Sequence, residues 1–405
     1  MKISKFAVSL IAAGVMASPL AQATNGDTMM AVGSQSSALG GTGVANFVGA
    51  ESVFANPAML GKSKGREATG GINLFMPDVA NDGMRGVSTK STADTNYIPD
   101  FSYSSRISDT LTYGFALAGI AGMGVDYTDA NPATHVKAKT TLSILKVVPT
   151  ITYNKDSYGI GFSPVLQYGS LAISYDTGTP TNPTHDKDSD TNFGYALGGY
   201  YNATPTLTLA AAYSSEIKME YGKQLSNAGM GFGQTFADNL TQPAEVKAGV
   251  AYKINDSFTV TGDYRLIQWS SAKGYKEFGW EDQDVLALGG KYSADSYWLG
   301  LGYNHANNPI KPYNNGMPLT PAGNNGGVVN MFNNLMFPAI IEDSYTFGGG
   351  YSFDKNLAIE GAVVISPEVT AKVDISDAAM APPGSLYNTT THSQQSYSVS
   401  LRYKF

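Results

Sequence analysis

The chain of 405 residues carries 26 Lys and Arg against 33 Asp and Glu, a formal net charge of −7. This acidic balance argues against a nucleic-acid partner, which needs a clustered basic face. The absence of cysteine fits an exported protein without disulfides. A content of 15% charged residues, with 45 Gly and 25 Tyr, is typical of many strands with aromatic rims.

Residues 1–23 have the pattern of a secretory signal peptide. Lys2 and Lys5 provide the positive start, residues 6–16 the apolar core, and residues 21–23 a small-residue cleavage site. The alternative is a retained N-terminal anchor, but the apolar run is too short for a stable spanning helix. We expect cleavage after Ala23.

Residues 24–67 show no strand-like alternation and consist largely of small residues and turns. The stretch also contains Val53, Phe54, Met59 and Leu60, which are costly to leave in water. A disordered periplasmic tail, the alternative, would leave these side chains solvated. We therefore expect a compact segment.

From residue 68 onward, fourteen segments alternate between apolar and polar residues. In the last segment, residues 397–405, Tyr, Val, Leu and Phe occupy the odd positions, and Ser, Arg and Lys the even ones. Successive side chains of a strand point to opposite faces, so this segment has one apolar and one polar face. The predicted strands are 68–77, 97–107, 111–117, 140–153, 157–170, 192–202, 207–213, 243–253, 258–266, 284–293, 296–304, 345–353, 356–366 and 397–405.

The links between these segments alternate between short and long. Links of two or three residues, such as 108–109 and 354–355, alternate with long polar links, such as 305–341 and 367–393. Short periplasmic turns and long extracellular loops are the rule in outer-membrane barrels. A soluble β-sandwich, the alternative, has no reason to sort its loops by side.

These patterns predict an all-β fold, a transmembrane antiparallel β-barrel of about 14 strands over residues 68–405. The expected location is the outer membrane of a Gram-negative bacterium. A barrel of this size is too wide for its own side chains to fill. Residues 24–67 are of a suitable size to occupy the lumen as an N-terminal plug.

Two predicted extracellular loops, 229–240 and 328–341, are unusually apolar. Apolar residues in surface loops need a reason, and mutual packing and a groove that captures a hydrophobic ligand both remain open. The candidates for such a groove are Met230, Phe232, Phe236, Phe332, Leu335 and Phe337.

No catalytic or metal-binding constellation is visible in the sequence. The four histidines fall far apart in predicted loops, with no Cys to help them bind a metal: His135, His185, His305 and His392. No nucleophile elbow or phosphate-binding glycine loop is present. Acidic residues at 186–190 could attract a divalent ion, but a solvated acidic loop is the simpler interpretation. We expect no catalytic residue, metal or cofactor.

Several short motifs resemble one known family, the FadL/OmpP1/TodX outer-membrane transporters for hydrophobic compounds. The likeness covers essentially the whole mature chain and is carried by residues 24–26, 37–45, 55–59, 70–78 and 403–405. Asn56, Pro57 and Ala58, with their glycine-rich lead, match the family's plug motif in context. The same triplet at 131–133 lies in a predicted loop and does not.

The resemblance implies a barrel closed by an N-terminal hatch, with ligand captured at an outer groove and moved to an inner pocket. It also implies lateral release into the bilayer at an inward kink of the third strand. Gly119, Gly122 and Gly124 are the kink candidates; ordinary loop glycines are the alternative. The ligand-lining candidates in the plug are Met29, Met30, Phe54, Met59 and Leu60.

The sequence thus predicts a monomer that takes up hydrophobic small molecules passively, surrounded by outer-membrane lipid and lipopolysaccharide. A long-chain fatty acid is the leading substrate, and aromatic or alkane hydrocarbons follow closely. A fatty acid requires a cation for its carboxylate, and alternation places five cations in the lumen: Lys247, Arg265, Lys291, Arg402 and Lys404. A general porin and a surface adhesin are the rival functions.

Overall fold

The strands form one closed antiparallel sheet. The computed structural model describes residues 24–83, 86–133, 135–176, 187–313, 320–321 and 323–405, so the predicted signal peptide lies outside it. Each barrel strand pairs with the next, and the last pairs with the first. The fourteen strands are β1 Arg66–Asn81, β2 Asn96–Arg106, β3 Leu111–Asp126, β4 Lys137–Lys155, β5 Tyr158–Asp176, β6 Asp188–Asn202, β7 Leu207–Ser214, β8 Glu245–Lys253, β9 Phe258–Ile267, β10 Gln283–Ser293, β11 Tyr297–Ala306, β12 Asp343–Ser352, β13 Leu357–Asp374 and β14 Tyr387–Lys404.

The predicted fourteen-stranded barrel is therefore confirmed, together with the two faces of its strands. On β14, Leu401 is exposed on the outside while Arg402 is buried inside, and on β9 Tyr264 and Asp263 divide in the same way. The apolar outer face suits lipid and the polar inner face suits a lumen. In the described part of the chain, no helix is long and apolar enough to cross a membrane.

Several strands extend beyond their predicted ends. β13 continues to Asp374 and β14 begins at Tyr387, which shortens the predicted loop 367–393 to residues 375–386. Backbone pairing persists here without the apolar alternation that marks a lipid-facing strand, so the sequence pattern does not reveal it. As a result, His305 lies on β11 and His392 on β14, and the prediction that all histidines lie in loops is wrong.

Residues 24–65, the N-terminal segment, fold against the inner face of the barrel. The segment begins with a short hairpin, residues 24–29, in which Thr24–Asn25 pairs with Thr28–Met29. Helix α1 (Ser34–Ala38) and two 3-10 turns (Ala50–Phe54 and Pro57–Lys62) follow. Nearly all side chains of residues 24–63 are buried.

Glycines allow the backbone of this segment to touch the backbone of the wall. Gly40 adopts φ +72°, and a Cβ atom on it would lie 2.6 Å from the carbonyl oxygen of Tyr303 on β11. A Cβ atom on Gly302 would lie 2.1 Å from the amide nitrogen of Gly40. Only glycine tolerates such an approach without displacement of one chain.

A buried arginine joins the last strand to the N-terminal segment. Arg402 Nη2 lies 2.6 Å from Glu51 and 2.9 Å from Glu360, and Nη1 lies 3.2 Å from Glu67. Arg402 Nη2 also donates to the carbonyl oxygen of Val48 at 2.8 Å. Because carboxylates are costly to bury alone, these side chains depend on the single guanidinium they share.

Two helices lie in the long loops, which we predict to be extracellular: α2 (Gln224–Gly231) and α3 (Gly326–Met336). The side chain of Asn325 caps α3 by accepting from the amide of Val328 at 3.0 Å. All residues of α3 are buried, and Asn333 donates to the carbonyl oxygen of Phe278 at 2.6 Å. The apolar loop predicted at 328–341 therefore contains a buried helix.

Replacing Arg402 with Met should lower the free energy of unfolding by about 3–5 kcal/mol, because three buried carboxylates lose their counter-charge. Urea unfolding of the barrel in detergent, followed by tryptophan fluorescence, measures this. Lys404→Met, at the exposed end of the same strand, is the matched control and should unfold as the wild type does. Equal losses of unfolding free energy in the two variants would contradict a stabilising role for the ion pairs of Arg402.

Candidate functional site

A cavity, here called the inner cavity, lies between the N-terminal segment and the barrel wall. It encloses about 1050 Å³ of space, its solvent-open part included. Apolar residues from five strands and one loop supply much of its wall: Ile120, Val148, Val165, Ala196, Ile217, Val285 and Ala287. Such a wall suits a hydrophobic ligand.

The structure places the predicted ligand-lining residues in two locations. Met29, Met30 and Phe54 line the inner cavity. Met59 packs with Ala58 and Tyr200, and Leu60 joins the main apolar core, so neither is among the described residues that line this cavity.

The predicted plug motif has a structural role, because Asn56 connects three backbone segments by hydrogen bonds. Asn56 Oδ1 accepts from the amide of Ala58 at 2.9 Å and so caps the 3-10 turn that Pro57 begins. Asn56 Nδ2 donates to the carbonyl oxygen of Val44 at 2.8 Å and to that of Gly199 on β6 at 3.2 Å. One side chain thus holds the turn, the preceding loop and the wall together.

A group of charged side chains faces the inner cavity. Lys247 Nζ lies 3.1 Å from Glu245 Oε2 and donates to the carbonyl oxygen of Phe54 at 3.2 Å. Arg265 Nη1 lies 3.7 Å from the same Glu245 oxygen. Lys146 of β4 also lines the cavity, and among the described residues its ammonium has no ion pair or hydrogen bond. These four groups carry three positive charges and one negative charge, and two further carboxylates of the lining, Glu51 and Asp263, balance them.

Sequence reasoning identified Lys247 and Arg265 but missed Lys146. Lys146 occupies an even-numbered position of β4, as do Thr150 and Thr152, which face inward and are buried. Side chains at even-numbered positions lie on the same face of the strand. The alternation along β4 was therefore sufficient to find it. Conversely, Lys404 was predicted to face the lumen but is exposed at the end of β14, because the strand ends there.

The third strand separates from the second above its midpoint. Pairing between β2 and β3 ends at Asp100 and Ala118. The register of β3 against β4 shifts by one residue between Gly119 and Ala121, which leaves Ile120 as a bulge. Residues 119–126 of β3 therefore have no partner on β2, and we call this opening the wall gap.

The hairpin of residues 24–29 lies behind the wall gap and partly replaces the missing strand. Thr28 pairs with Ala121, and the amide of Gly122 donates to the carbonyl oxygen of Asp27 at 3.0 Å. The backbone of β3 thus finds partners on the N-terminal segment where β2 no longer provides them.

A second cavity, the gap pocket, lies on the other side of the hairpin. It encloses about 460 Å³, its solvent-open part included, and is lined by residues of β1, β2, β3, β14 and the hairpin. Gly122 and Gly124, predicted as kink residues, line this pocket, and Gly119 flanks the register shift. Thr28 and Met29 line the inner cavity while Thr24 and Gly26 line the gap pocket, so the hairpin separates the two.

Residues of two long loops hold the hairpin in place. Tyr275 donates a hydrogen bond to the carboxylate of Asp27, and Gln242 Nε2 donates to Asp27 Oδ2 at 3.1 Å. Gly26 adopts φ +65° with no room for a Cβ atom beneath the Trp269 ring, since that atom would lie 2.7 Å from the ring. Burial raises the pKa of the Asp27 carboxyl to about 6.

The aromatic residues predicted for the outer groove pack mainly against one another. Phe332 of α3 lies 5.0 Å from Phe236, 6.2 Å from Phe232 and 5.5 Å from Phe337, measured between ring centroids. Leu335 is buried beside them, whereas Met230 of α2 is exposed. The packing alternative is thus observed, and a capture role remains a prediction.

Acidic and histidine side chains do not gather into a metal-ion site in the described part of the chain. Asp188 and Asp190 lie on β6, while Asp186 and His185 lie outside the described residues. His135 Nδ1 lies 2.7 Å from the carbonyl oxygen of Val136.

The sequence profile of one family, described as outer membrane protein transport protein (OMPP1/FadL/TodX), matches residues 12–319. The chain belongs to this family. Its members are outer-membrane β-barrel transport proteins for hydrophobic compounds in Gram-negative bacteria. No curated protein sequence matches the chain.

Several solved structures have the same fold. A FadL homologue from Pseudomonas aeruginosa is 17% identical, with TM-score 0.69 over 94% of this chain and 100% of that one. The P. putida toluene transporter TodX is 17% identical, with TM-score 0.67 over 93% and 99%. The Ralstonia pickettii toluene transporter TbuX is 18% identical, with TM-score 0.61 over 93% and 99%.

The hairpin should dock against the loops more stably as the pH falls below about 6. The raised pKa of Asp27 means that the docked hairpin favours the neutral carboxyl, so docking is strongest below about pH 4 and weakens as the pH rises through 6. A Thr28→Cys variant should therefore react with a maleimide at least about tenfold more slowly at pH 5 than at pH 7.5, at roughly tenfold per pKa unit.

Because the chain has no native cysteine, the reporter is the sole thiol. The exposed Met230→Cys variant corrects for the pH dependence of the thiol itself. In an Asp27→Asn background the corrected pH dependence should disappear. A corrected rate that rises as the pH falls would contradict this assignment.

Proposed function

We propose that this protein is a passive channel through which hydrophobic small molecules with an anionic head group, such as long-chain fatty acids, enter the outer membrane. The observation that carries the proposal is Lys146, a lysine on the wall of the inner cavity whose ammonium makes no ion pair or hydrogen bond among the described residues and interacts with Glu245 and Asp27 only at longer range. An ammonium that is partly buried beside apolar side chains is costly unless an anion meets it, and a carboxylate ligand supplies that anion.

The lumen is closed by the N-terminal segment acting as a plug. Its support is the extensive burial of residues 24–63 and their bonds to inward-facing side chains of the wall. Asp263 of β9 accepts from the amides of Gly43 and Val44 at 2.7 and 2.9 Å, and Thr152 of β4 donates to the carbonyl oxygen of Pro57. These bonds attach the plug to two well-separated strands of the barrel.

The ligand leaves sideways through the wall gap. A hydrophobic molecule gains free energy when it moves from water into lipid, so no energy source is required. The hairpin stands between the inner cavity and the gap pocket, and its displacement joins the two. This route explains why the hairpin is held by side-chain hydrogen bonds and one backbone bridge rather than by a full strand.

Neutral aromatic hydrocarbons are the second candidate substrate. Solved structures with the same fold include toluene transporters, and the apolar wall of the inner cavity would accept such a ligand. The ammonium of Lys146, which makes no ion pair or hydrogen bond among the described residues, favours the anionic ligand over the neutral one.

Replacing Lys146 with Met should separate these substrates. Uptake of labelled oleate into cells should fall about tenfold, in keeping with the loss of a charge-assisted hydrogen bond, while uptake of labelled toluene should be unchanged. Lys155→Met, at the exposed end of the same strand, is the matched control. Equal loss of both substrates would mean that Lys146 has a structural role, and no loss of either would contradict carboxylate binding there.

A disulfide between residues 28 and 121 should stop transport reversibly. Thr28 and Ala121 are register partners, so Thr28→Cys with Ala121→Cys ties the hairpin to β3. Uptake should fall to the background level when oxidised and return after reduction. The control pair is Ala211→Cys with Ala248→Cys, partners within the wall. Undiminished uptake through the oxidised 28–121 pair would contradict the lateral route.

A further inference from the structure

The gap pocket contains a chain of hydrogen bonds that ends at residue 24. The nitrogen of Thr24 donates to Gln394 Oε1 at 3.1 Å. Gln394 Nε2 lies 3.2 Å from Thr24 Oγ1 and 3.1 Å from His392 Nε2, and His392 Nδ1 lies 2.7 Å from the carbonyl oxygen of Pro338. With Nδ1–H donating to that carbonyl, Nε2 accepts from Gln394. Every hydrogen bond in this series is therefore made between neutral groups.

The remaining lining of the pocket is mostly apolar. It includes Phe75, Pro77, Val79, Met123, Pro338 and Ala339. No carboxylate is among the described lining residues. Asn96 also lines the pocket, is 2% exposed, and its Oδ1 has no hydrogen-bond partner in the described part of the chain.

Cleavage after Ala23, as the sequence predicts, would make the nitrogen of Thr24 an α-ammonium group. Thr24 is 6% exposed. An ammonium has three N–H donors, and only Gln394 Oε1 among the described residues accepts from this nitrogen. A buried ammonium without a counter-ion is unfavourable, so the mature pocket would require an anion that its own side chains do not supply.

We propose that the α-ammonium of Thr24, created by signal-peptide cleavage, is the anion-binding group of the gap pocket. It receives the anionic head of the transported amphiphile after the head leaves Lys146, while the apolar lining accepts the tail. The inference rests on the proposed function and on the predicted cleavage site. It gives the mature N-terminus a direct role in ligand binding at the wall gap.

A pH titration distinguishes this amine from its neighbours. The ionisable side chains on the elements and loops around the pocket include His392, Lys90 and the carboxylates of Asp27, Asp78, Asp82, Asp94, Asp100, Asp126 and Glu342. Carboxylates and histidine ordinarily titrate below pH 7 and lysine above 10, whereas an α-amine titrates at about 7.7–8.0. A step near pH 8 that remains in Lys146→Met and is absent when the amine is displaced therefore identifies the amine.

The test uses the purified mature protein in a neutral detergent, after its N-terminus has been established by intact mass. Titration calorimetry compares decane-1-sulfonate, which keeps its charge at every pH, with decan-1-ol between pH 6.5 and 9.5. The affinity for the sulfonate should fall about tenfold, with a midpoint near pH 8. The affinity for the alcohol should stay constant.

The matched variant inserts two alanines between Ala23 and Thr24. This moves the ammonium by up to about 7 Å and leaves residue 24 as an amide. It should bind the sulfonate at pH 6.5 as weakly as the wild type does at pH 9.5, with no step. Lys146→Met should bind the sulfonate more weakly at both pH values but keep the step.

Three results would overturn the inference: no step in the wild type, the same step in the insertion variant, or a mature chain that does not begin at Thr24. If the sulfonate still binds in these cases, the proposed function stands and only the role of the amine is lost. If neither the sulfonate nor the alcohol binds, both proposals fail.

Discussion

A strand in hydrocarbon must be paired on both edges, because lipid offers no hydrogen-bond partner to a peptide group. The chain meets this requirement by closing β14 on β1, in register from Glu67 with Lys404 to Asn81 with Thr390. Closure at fourteen strands creates a lumen wider than side chains alone can fill. The polar inner faces and the buried N-terminal segment both follow from that width.

The upper part of β3 is the place where strand pairing in the barrel wall is incomplete. Above Ala118, β3 loses β2, and the hairpin provides a partner through Thr28 and the carbonyl oxygen of Asp27. A bridge of this size is weaker than the long strand pairings elsewhere in the wall. The weakest part of the closed sheet therefore coincides with the boundary between the two cavities, which is where a lateral route requires movement.

The strongly periodic parts of the structure could be predicted from the sequence. The alternation in residues 397–405 placed β14 and its two faces correctly, because lipid and lumen impose opposite polarity on successive residues. Strand extensions such as the upper ends of β13 and β14 could not be predicted, since pairing above the membrane imposes no such pattern. Helix α3 was missed for a related reason: its residues are buried on all sides.

The site was only partly accessible to sequence reasoning. Met29 and Met30 were identified as candidates through a family likeness, and Lys146 was available from parity but was overlooked. The pairing of Thr28 with Ala121 and the bond between Asp27 and Tyr275 join residues 93 and 248 positions apart. Contacts at such separations depend on how the barrel closes around the segment, and no local pattern encodes them.

The most direct test of the account is uptake in cells that lack their own hydrophobic transporters, with and without this protein. Labelled oleate, labelled toluene and a labelled small sugar are compared. If the N-terminal segment plugs the lumen and the ligand leaves laterally, as proposed, oleate uptake should increase and sugar uptake should not. Enhanced sugar permeation without uptake of either hydrophobic compound would contradict it and would indicate an open porin.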